Sequence, residues 1–240
     1  MKNIKKAFYE EAYPEKRSKL QLRSGLSFLY NLFRSFEDYR EDAVYRLLPG
    51  GKTLADIGCG DGNFVIRSLE KYENCFGTDI AGTRISATRK KILKLPKKFR
   101  HRIRFYNSDA DEKLPFPDRS VSTVTMIASL EHFFDPFGIF EEINRVLDKK
   151  GTVIFQVPNL AFLPRRLTVL FGGLPLTSED DTGWDGGHMH YFTVGSLKDF
   201  LKKFGYQIEI ITCSGIFAPV RRLYVSLLGA DIIIKAVKKD

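Results

Sequence analysis

The chain has 240 residues, 43% of them hydrophobic, and a formal net charge of +9 at pH 7. That length suits one α/β domain with elaborations, and the apolar content suffices for a packed core. No apolar run approaches the about 18 residues of a spanning helix, and none follows the basic start Met1-Lys2-Asn3-Ile4-Lys5-Lys6, so neither a helical membrane protein nor a secretory signal is expected.

Phe8, Tyr9, Ala12 and Tyr13 mark one helical stripe, ended by Pro14. From Leu20 to Tyr45, Leu, Phe and Tyr recur at mixed three- and four-residue spacing (Leu22, Leu26, Leu29, Leu32, Phe33, Phe36). Two or three helices are expected over 1–48, either as core packing or as a lid. Pro49-Gly50-Gly51 is a turn, and Leu54 to Ile57 reads as a buried parallel strand. Gly58, Gly60 and Gly62 follow at alternate positions, and Phe64 to Glu70 has helical spacing. Strand, glycine turn and helix make the first crossover of a nucleotide-binding sheet. A dinucleotide fingerprint would need glycine at 63, where Asn63 stands, which disfavours a nicotinamide-dependent oxidoreductase.

The pattern is instead D-x-G-x-G-x-G, with Asp56 at the strand end. It resembles motif I of the class I S-adenosylmethionine (SAM) methyltransferases. The resemblance implies that Asp56, Gly58, Cys59, Gly60 and Gly62 contact SAM, whose cationic amino-acid end suits an acid beside the loop. Cys59 reads most simply as a small side chain that fits. With Cys75 and Cys213 it makes an odd, scattered set, which suits a reducing cytoplasm and neither disulfides nor a zinc site.

Asn74 to Ile80 reads as the second strand. Asp79 stands about 20 residues past the glycine loop, where an acid can bond both ribose hydroxyls; Ile80 is expected beside it. Residues 80–95 form a basic helix ending at Pro96, and Arg102 to Asn107 a third strand. Arg89, Lys90, Lys91, Lys94, Lys97, Lys98, Arg100, Arg102 and Arg104 carry much of the positive charge. A solvated face is the plainer reading, RNA binding the alternative, and no aromatics interleave the cluster as a base-stacking platform would require.

Ser108 to Ser120 resembles the family's "D-A-x-x-L-P-F-x-D-x-S-F-D" signature. It implies that Asp109 accepts from the adenine amino group and the Ala110 N–H donates to a ring nitrogen, with Ser108 alongside. After the strand Val121 to Ile127, Ala128-Ser129-Leu130-Glu131-His132-Phe133 resembles the "x-x-x-L-E-H-x" motif. Ala128, Ser129 and Leu130 then close over SAM, and His132 faces the cleft as a wall residue or as a general base.

Pro136 to Leu147 is an amphipathic helix, Lys149-Lys150-Gly151 a turn, and Thr152 to Asn159 the fifth strand. Residues 160–192 are expected to form a substrate-side insertion. Its end, His188-Met189-His190-Tyr191-Phe192-Thr193, resembles the "H-x-H-x-F-T" of MetW-like methyltransferases and relatives of types 11 and 23. Thr193 is a candidate N-cap for 195–204. His188 and His190 can share one side of an extended segment. A metal would need a third ligand such as Asp185 or Asp181, and no metal is expected. Trp184, His188 and Tyr191, with Tyr9 and Tyr13 of the lid, are the expected acceptor contacts; His132 and His190 are the candidate bases. Residues 205–212 and 231–237 read as a final antiparallel hairpin. Between them 216–228 is an apolar, basic helix; it packs as ordinary core or, with 164–171, forms a patch for a lipid-linked substrate or a partner, and peripheral membrane contact is a further alternative.

The resemblance implies a Rossmann-like, seven-stranded class I sheet over 49–240, with a helical cap over 1–48. The expected reaction is in-line methyl transfer from SAM to a small-molecule or lipid- or glycan-linked acceptor. An RNA methyltransferase, disfavoured for base amino groups by the lack of an N-P-P-Y motif, and a non-catalytic SAM-binding module are the alternatives.

Overall fold

The computed structural model describes residues 37–178 and 184–239. The chain enters through a two-residue strand, β1 (Glu37–Asp38), and helix α1 (Arg40–Leu47). Five crossover units follow: β2 (Gly51–Ile57) and α2 (Asn63–Ser68); β3 (Tyr72–Asp79), α3 (Gly82–Ile92) and α4 (Lys97–Arg100); β4 (Ile103–Asn107); β5 (Val121–Ile127) and α5 (Pro136–Val146); β6 (Leu147–Pro158) and α6 (Leu163–Leu170). The remainder is α7 (Val194–Lys203), β7 (Tyr206–Thr212), β8 (Gly215–Ile216), α8 (Ala218–Arg221), α9 (Val225–Leu228) and β9 (Asp231–Lys238).

Seven strands form one sheet in the order β4-β3-β2-β5-β6-β9-β7, and β9 alone runs antiparallel to its neighbours. This is the expected Rossmann-like sheet. The central strands are apolar because helices cover both faces. On one face Ile139, Phe140, Ile143 and Val146 of α5 pack with Leu197, Phe200 and Leu201 of α7. On the other, Ala43 and Val44 of α1 join Phe64, Val65 and Ile85. Strand order reverses between β2 and β5, and a ligand crevice opens at the carboxyl ends there.

Local chemistry sets the boundaries. Asp135 caps α5 by accepting from the Phe137 N–H, with Pro136 in the first turn. Thr193 and Ser196 form a capping box on α7, as the sequence suggests. The expected turn at Lys149-Lys150-Gly151 lies within β6, where Lys150 is left-handed at φ 59°.

Two further expectations are corrected. Residues 216–228 are not one helix: α8 and α9 flank a 3₁₀ turn, Arg222–Tyr224, after Phe217 at φ 58°. Nor does most of the apolar side of 164–171 and 216–228 pack as core, although Ala218 and Val225 are buried. Leu167, Leu170 and Phe171 on and after α6, and Val220, Leu223 and Tyr224, are exposed, Phe171 by 84% and Leu223 by 83%. Tyr9, Tyr13 and the expected helices before residue 37 lie outside the described residues, as does Asp181. Among the described residues no helix is long and apolar enough to cross a membrane.

Candidate active site

A cavity of about 1180 Å³ occupies the carboxyl ends of β2, β3, β5 and β6. One half is built by the glycine loop. The Gly58 and Cys59 N–H groups both donate to the Thr78 carbonyl, at 2.8 and 2.9 Å, holding the loop against β3. Gly60 is left-handed at φ 54° and lines the cavity. Its N–H donates to Asp79 Oδ2 at 2.9 Å, and the Ala81 N–H to Oδ1 at 2.8 Å. Each Asp79 oxygen keeps a second lone pair for a ligand hydroxyl. Burial pushes the Asp79 carboxyl up, while these N–H donors and the Arg84 charge pull it back.

Asp56 is buried beside this loop and accepts from Thr125 Oγ1 at 2.7 Å. Burial pushes its carboxyl up to about 7, against the Thr125 hydrogen bond. Burial drives the Cys59 thiol well up, which disfavours the thiolate. A side chain at Gly58 would place its Cβ 2.5 Å from Ser129 Cβ, so the loop closes on the turn after β5 only as glycine. Ser129 Oγ donates back to the Ile57 carbonyl, and Ala128 before it is held at φ 50°.

Of the expected cofactor contacts, all but Gly62 and Leu130 line the cavity. Gly62 is a packing glycine: its Cβ would lie 2.4 Å from Thr88 Cγ2 and 2.9 Å from the Phe105 ring. Leu130 is fully buried in the core beneath the turn.

The other half joins the turn after β5 to the segment after α6. Glu131, His132, His188 and Thr177 meet there. The Met189 and His190 N–H groups both donate to the Glu131 carbonyl, at 2.9 and 3.2 Å, pinning the two segments together. Consecutive donors to one carbonyl break the extended alternation, so His188 and His190 do not share a side. His188 is buried in the cavity wall; His190 points away, its Nε2 3.3 Å from the Phe134 carbonyl. Trp184, 69% exposed, and Tyr191, also exposed, do not line the cavity either. Of these residues His132 and His188 line the cavity, and His190, Trp184 and Tyr191 do not.

Two groups, Glu131 and Asp111, were not singled out by sequence reasoning, and Asp185 was considered only as a metal ligand. Glu131 is 1% exposed, and burial pushes its carboxyl up to about 8; its place inside the L-E-H motif was the available signal. Asp185 accepts from the Thr177 and Ser178 N–H groups and from Thr177 Oγ1. Asp111 accepts from the Phe134 and Asp135 N–H groups, tying the loop after β4 to the start of α5.

Residues 28–210 match the sequence profile of a methyltransferase domain family. The chain belongs to the class I SAM-dependent methyltransferases. This methyltransferase is 30% identical over 122 residues to 27-O-demethylrifamycin SV methyltransferase of Amycolatopsis mediterranei, covering 46% of this chain and 40% of that one. It is 25% identical over 193 residues to the ubiquinone biosynthesis O-methyltransferase of Idiomarina loihiensis, covering 79% and 75%. Solved structures share the fold: a SAM-dependent methyltransferase of Thermotoga maritima (TM-score 0.63, 19% identity, 97% of this chain and 99% of that one) and the [4+2]-cyclase SpnF (0.59, 17%, 95% and 86%).

The methyltransferase's own residues fit SAM. A buried carboxyl at Asp79 is aimed beside a loop that a side chain at Gly60 would narrow, and Asp56 offers a second acidic side chain within the same cavity. The cations of α3 and of the turn after α4 are partly committed elsewhere: Arg89 donates to the Phe105 carbonyl, Lys91 to the Asp61 carbonyl and Asn63 Oδ1, and Arg102 to the Leu69, Tyr72 and Glu73 carbonyls.

Proposed function

We propose that this enzyme transfers the methyl group of SAM to a hydroxyl of a small molecule. The observation that carries the reading is a single cavity in which the glycine loop and Asp79 face a polar wall of Glu131, His132 and His188. Asp79 holds the ribose hydroxyls, the Asp109–Ala110 loop the adenine, and Asp56 with Gly58–Gly60 the amino-acid end. Bound there, SAM supplies a methyl group on a sulfonium and leaves as S-adenosylhomocysteine. Because that methyl is already a strong electrophile, the chain's task is alignment and removal of the acceptor's proton. Both curated relatives carry O-methylation in their names, which supports a hydroxyl acceptor over an amine. The apolar side of α6, beside Phe162 and Arg165 at the cavity, supports an acceptor with an apolar body.

The test is calorimetry with SAM, followed by transfer of radiolabelled methyl to a panel of phenols and hydroxylated polyketides. SAM binding with labelled product is expected. SAM binding without product on the panel or on cell extract favours a non-catalytic module. Labelled RNA in the extract favours the RNA reading. Absence of SAM binding overturns the assignment.

A further inference from the structure

We propose that Glu131, His132 and His188 form a binding site for a divalent transition-metal ion of the zinc class. One ligand atom from each lies within 4.8 Å of the others, and His188 Nε2 is 3.9 Å from Glu131 Oε1. The two imidazole rings are 4.7 Å apart, edge to face.

Glu131 supplies the independent observation. Its carboxylate is buried, and among the described residues neither oxygen has a hydrogen-bond partner. A buried carboxyl group left without a hydrogen bond is costly and rarely kept without a use. A cation between Glu131 and the imidazoles removes that cost.

The surrounding bonds orient the imidazoles as ligands. Thr177 Oγ1 has one proton, and it donates to Asp185 Oδ2 at 2.6 Å. The same oxygen lies 2.6 Å from His188 Nδ1, so it accepts from that nitrogen. The His188 lone pair is thereby directed to Nε2, on the Glu131 side. His132 Nδ1 lies 3.1 Å from the Gly187 carbonyl, which can only accept, so this ring too carries its proton on Nδ1. A donated ring N–H on a carbonyl, or relayed to a carboxylate, is the usual support of a metal-binding histidine.

Two imidazoles and one carboxylate form the ligand set of catalytic zinc, which keeps a position open. Magnesium prefers an all-oxygen set. Two ligands each about 2.1 Å from a tetrahedral ion stand roughly 3.4 Å apart, so the present spacing needs only a small side-chain closure. Resting on the proposed function, the open position takes the acceptor's oxygen and lowers its pKa. The hydroxyl proton leaves to solvent. The oxygen lone pair forms the new C–O bond as the methyl–sulfur bond breaks, its electrons remaining on sulfur.

The test uses the full chain, free of any histidine tag and stripped with chelator. Zn²⁺ is titrated calorimetrically, and Co²⁺ by its visible absorption. One ion per chain is expected, with d–d bands of a low-coordinate nitrogen and oxygen site. Glu131→Gln and His188→Asn should each weaken Co²⁺ binding more than tenfold, and Thr177→Val about tenfold through the lost orientation. His190→Ala should leave it unchanged. SAM binding and melting temperature report the folding of each variant, and Thr177→Val carries the test if a ligand variant does not fold. Failure of the wild-type chain to take up either ion, or uptake unaltered in folded Glu131→Gln and His188→Asn, overturns the site. Loss of SAM binding alone overturns the proposed function and not the ion site, because ion uptake is read without SAM.

Discussion

At the scale of single residues, Asp79 and Asp56 carry different charges of proof. Asp79 holds two backbone N–H groups and presents its remaining lone pairs to the cavity. Asp79→Ala should weaken SAM binding at least tenfold, since each hydrogen bond to a charged acceptor is worth about 1.5–3 kcal/mol; calorimetry on the folded variant is the check. Asp56 bears on stability. Its folded pKa is raised by burial to about 7, well above the usual carboxylate range. The protonated form is favoured in the fold, so the contribution is complete below the unfolded pKa and is lost as pH rises through about 7. Asp56→Asn, which can still accept from Thr125, removes that loss. The variant's melting temperature should therefore gain on the wild type's between pH 5 and pH 8. A constant difference across that range would show that Asp56 stays ionised.

At the scale of elements, the glycine loop divides its labour. Gly62 starts α2 at φ 73° and has Thr88 and Phe105 within 3 Å of the missing Cβ. Gly62→Ala should therefore destabilise the protein by about 1–3 kcal/mol, read as a lower melting temperature, whether or not SAM is present. At Gly60 the nearest atom is the Arg84 guanidinium at 3.3 Å, which can move. Gly60→Val should instead abolish SAM binding while leaving the chain folded. The three glycines look equivalent in the sequence. What separates them is which neighbour each missing side chain would meet, and that neighbour comes from α3, β4 or the turn after β5, none of which is local.

At the scale of the whole molecule, the exposed apolar side chains of α6 and of the 216–228 segment are the unexpected feature. Leu170, Phe171 and Leu223 contribute little to the described core. Leu170→Ser and Leu223→Ser should shift stability by no more than about 0.5 kcal/mol. Leu130→Ala, by contrast, should cost about 2–5 kcal/mol, because Leu130 is sealed beneath the site. Thermal melts of the three variants make the comparison. A large loss at Leu170 or Leu223 would show that this side is packed in solution.

The sequence by itself determined the sheet and most of the residues that line the glycine-loop half of the cavity. Those depend on short-range signals: an apolar strand, a turn that only glycine can make, and an acid at the end of the next strand. Asp56, Gly58, Gly60, Asp79 and Asp109 are legible because strand, turn and ligand-facing residue are neighbours in the chain. The polar wall was legible only in part: His132 and His188 were expected on the acceptor side, Glu131 was not. Glu131 and His188 are 57 positions apart, and they meet because the Met189 and His190 N–H groups bond the Glu131 carbonyl. Those same bonds turn His190 away, which the two-residue spacing could not foresee. Likewise the amphipathic pattern of 164–171 and 216–228 specifies an apolar side but not its neighbour. Periodicity says which residues seek burial; only the tertiary arrangement decides whether another element arrives to bury them.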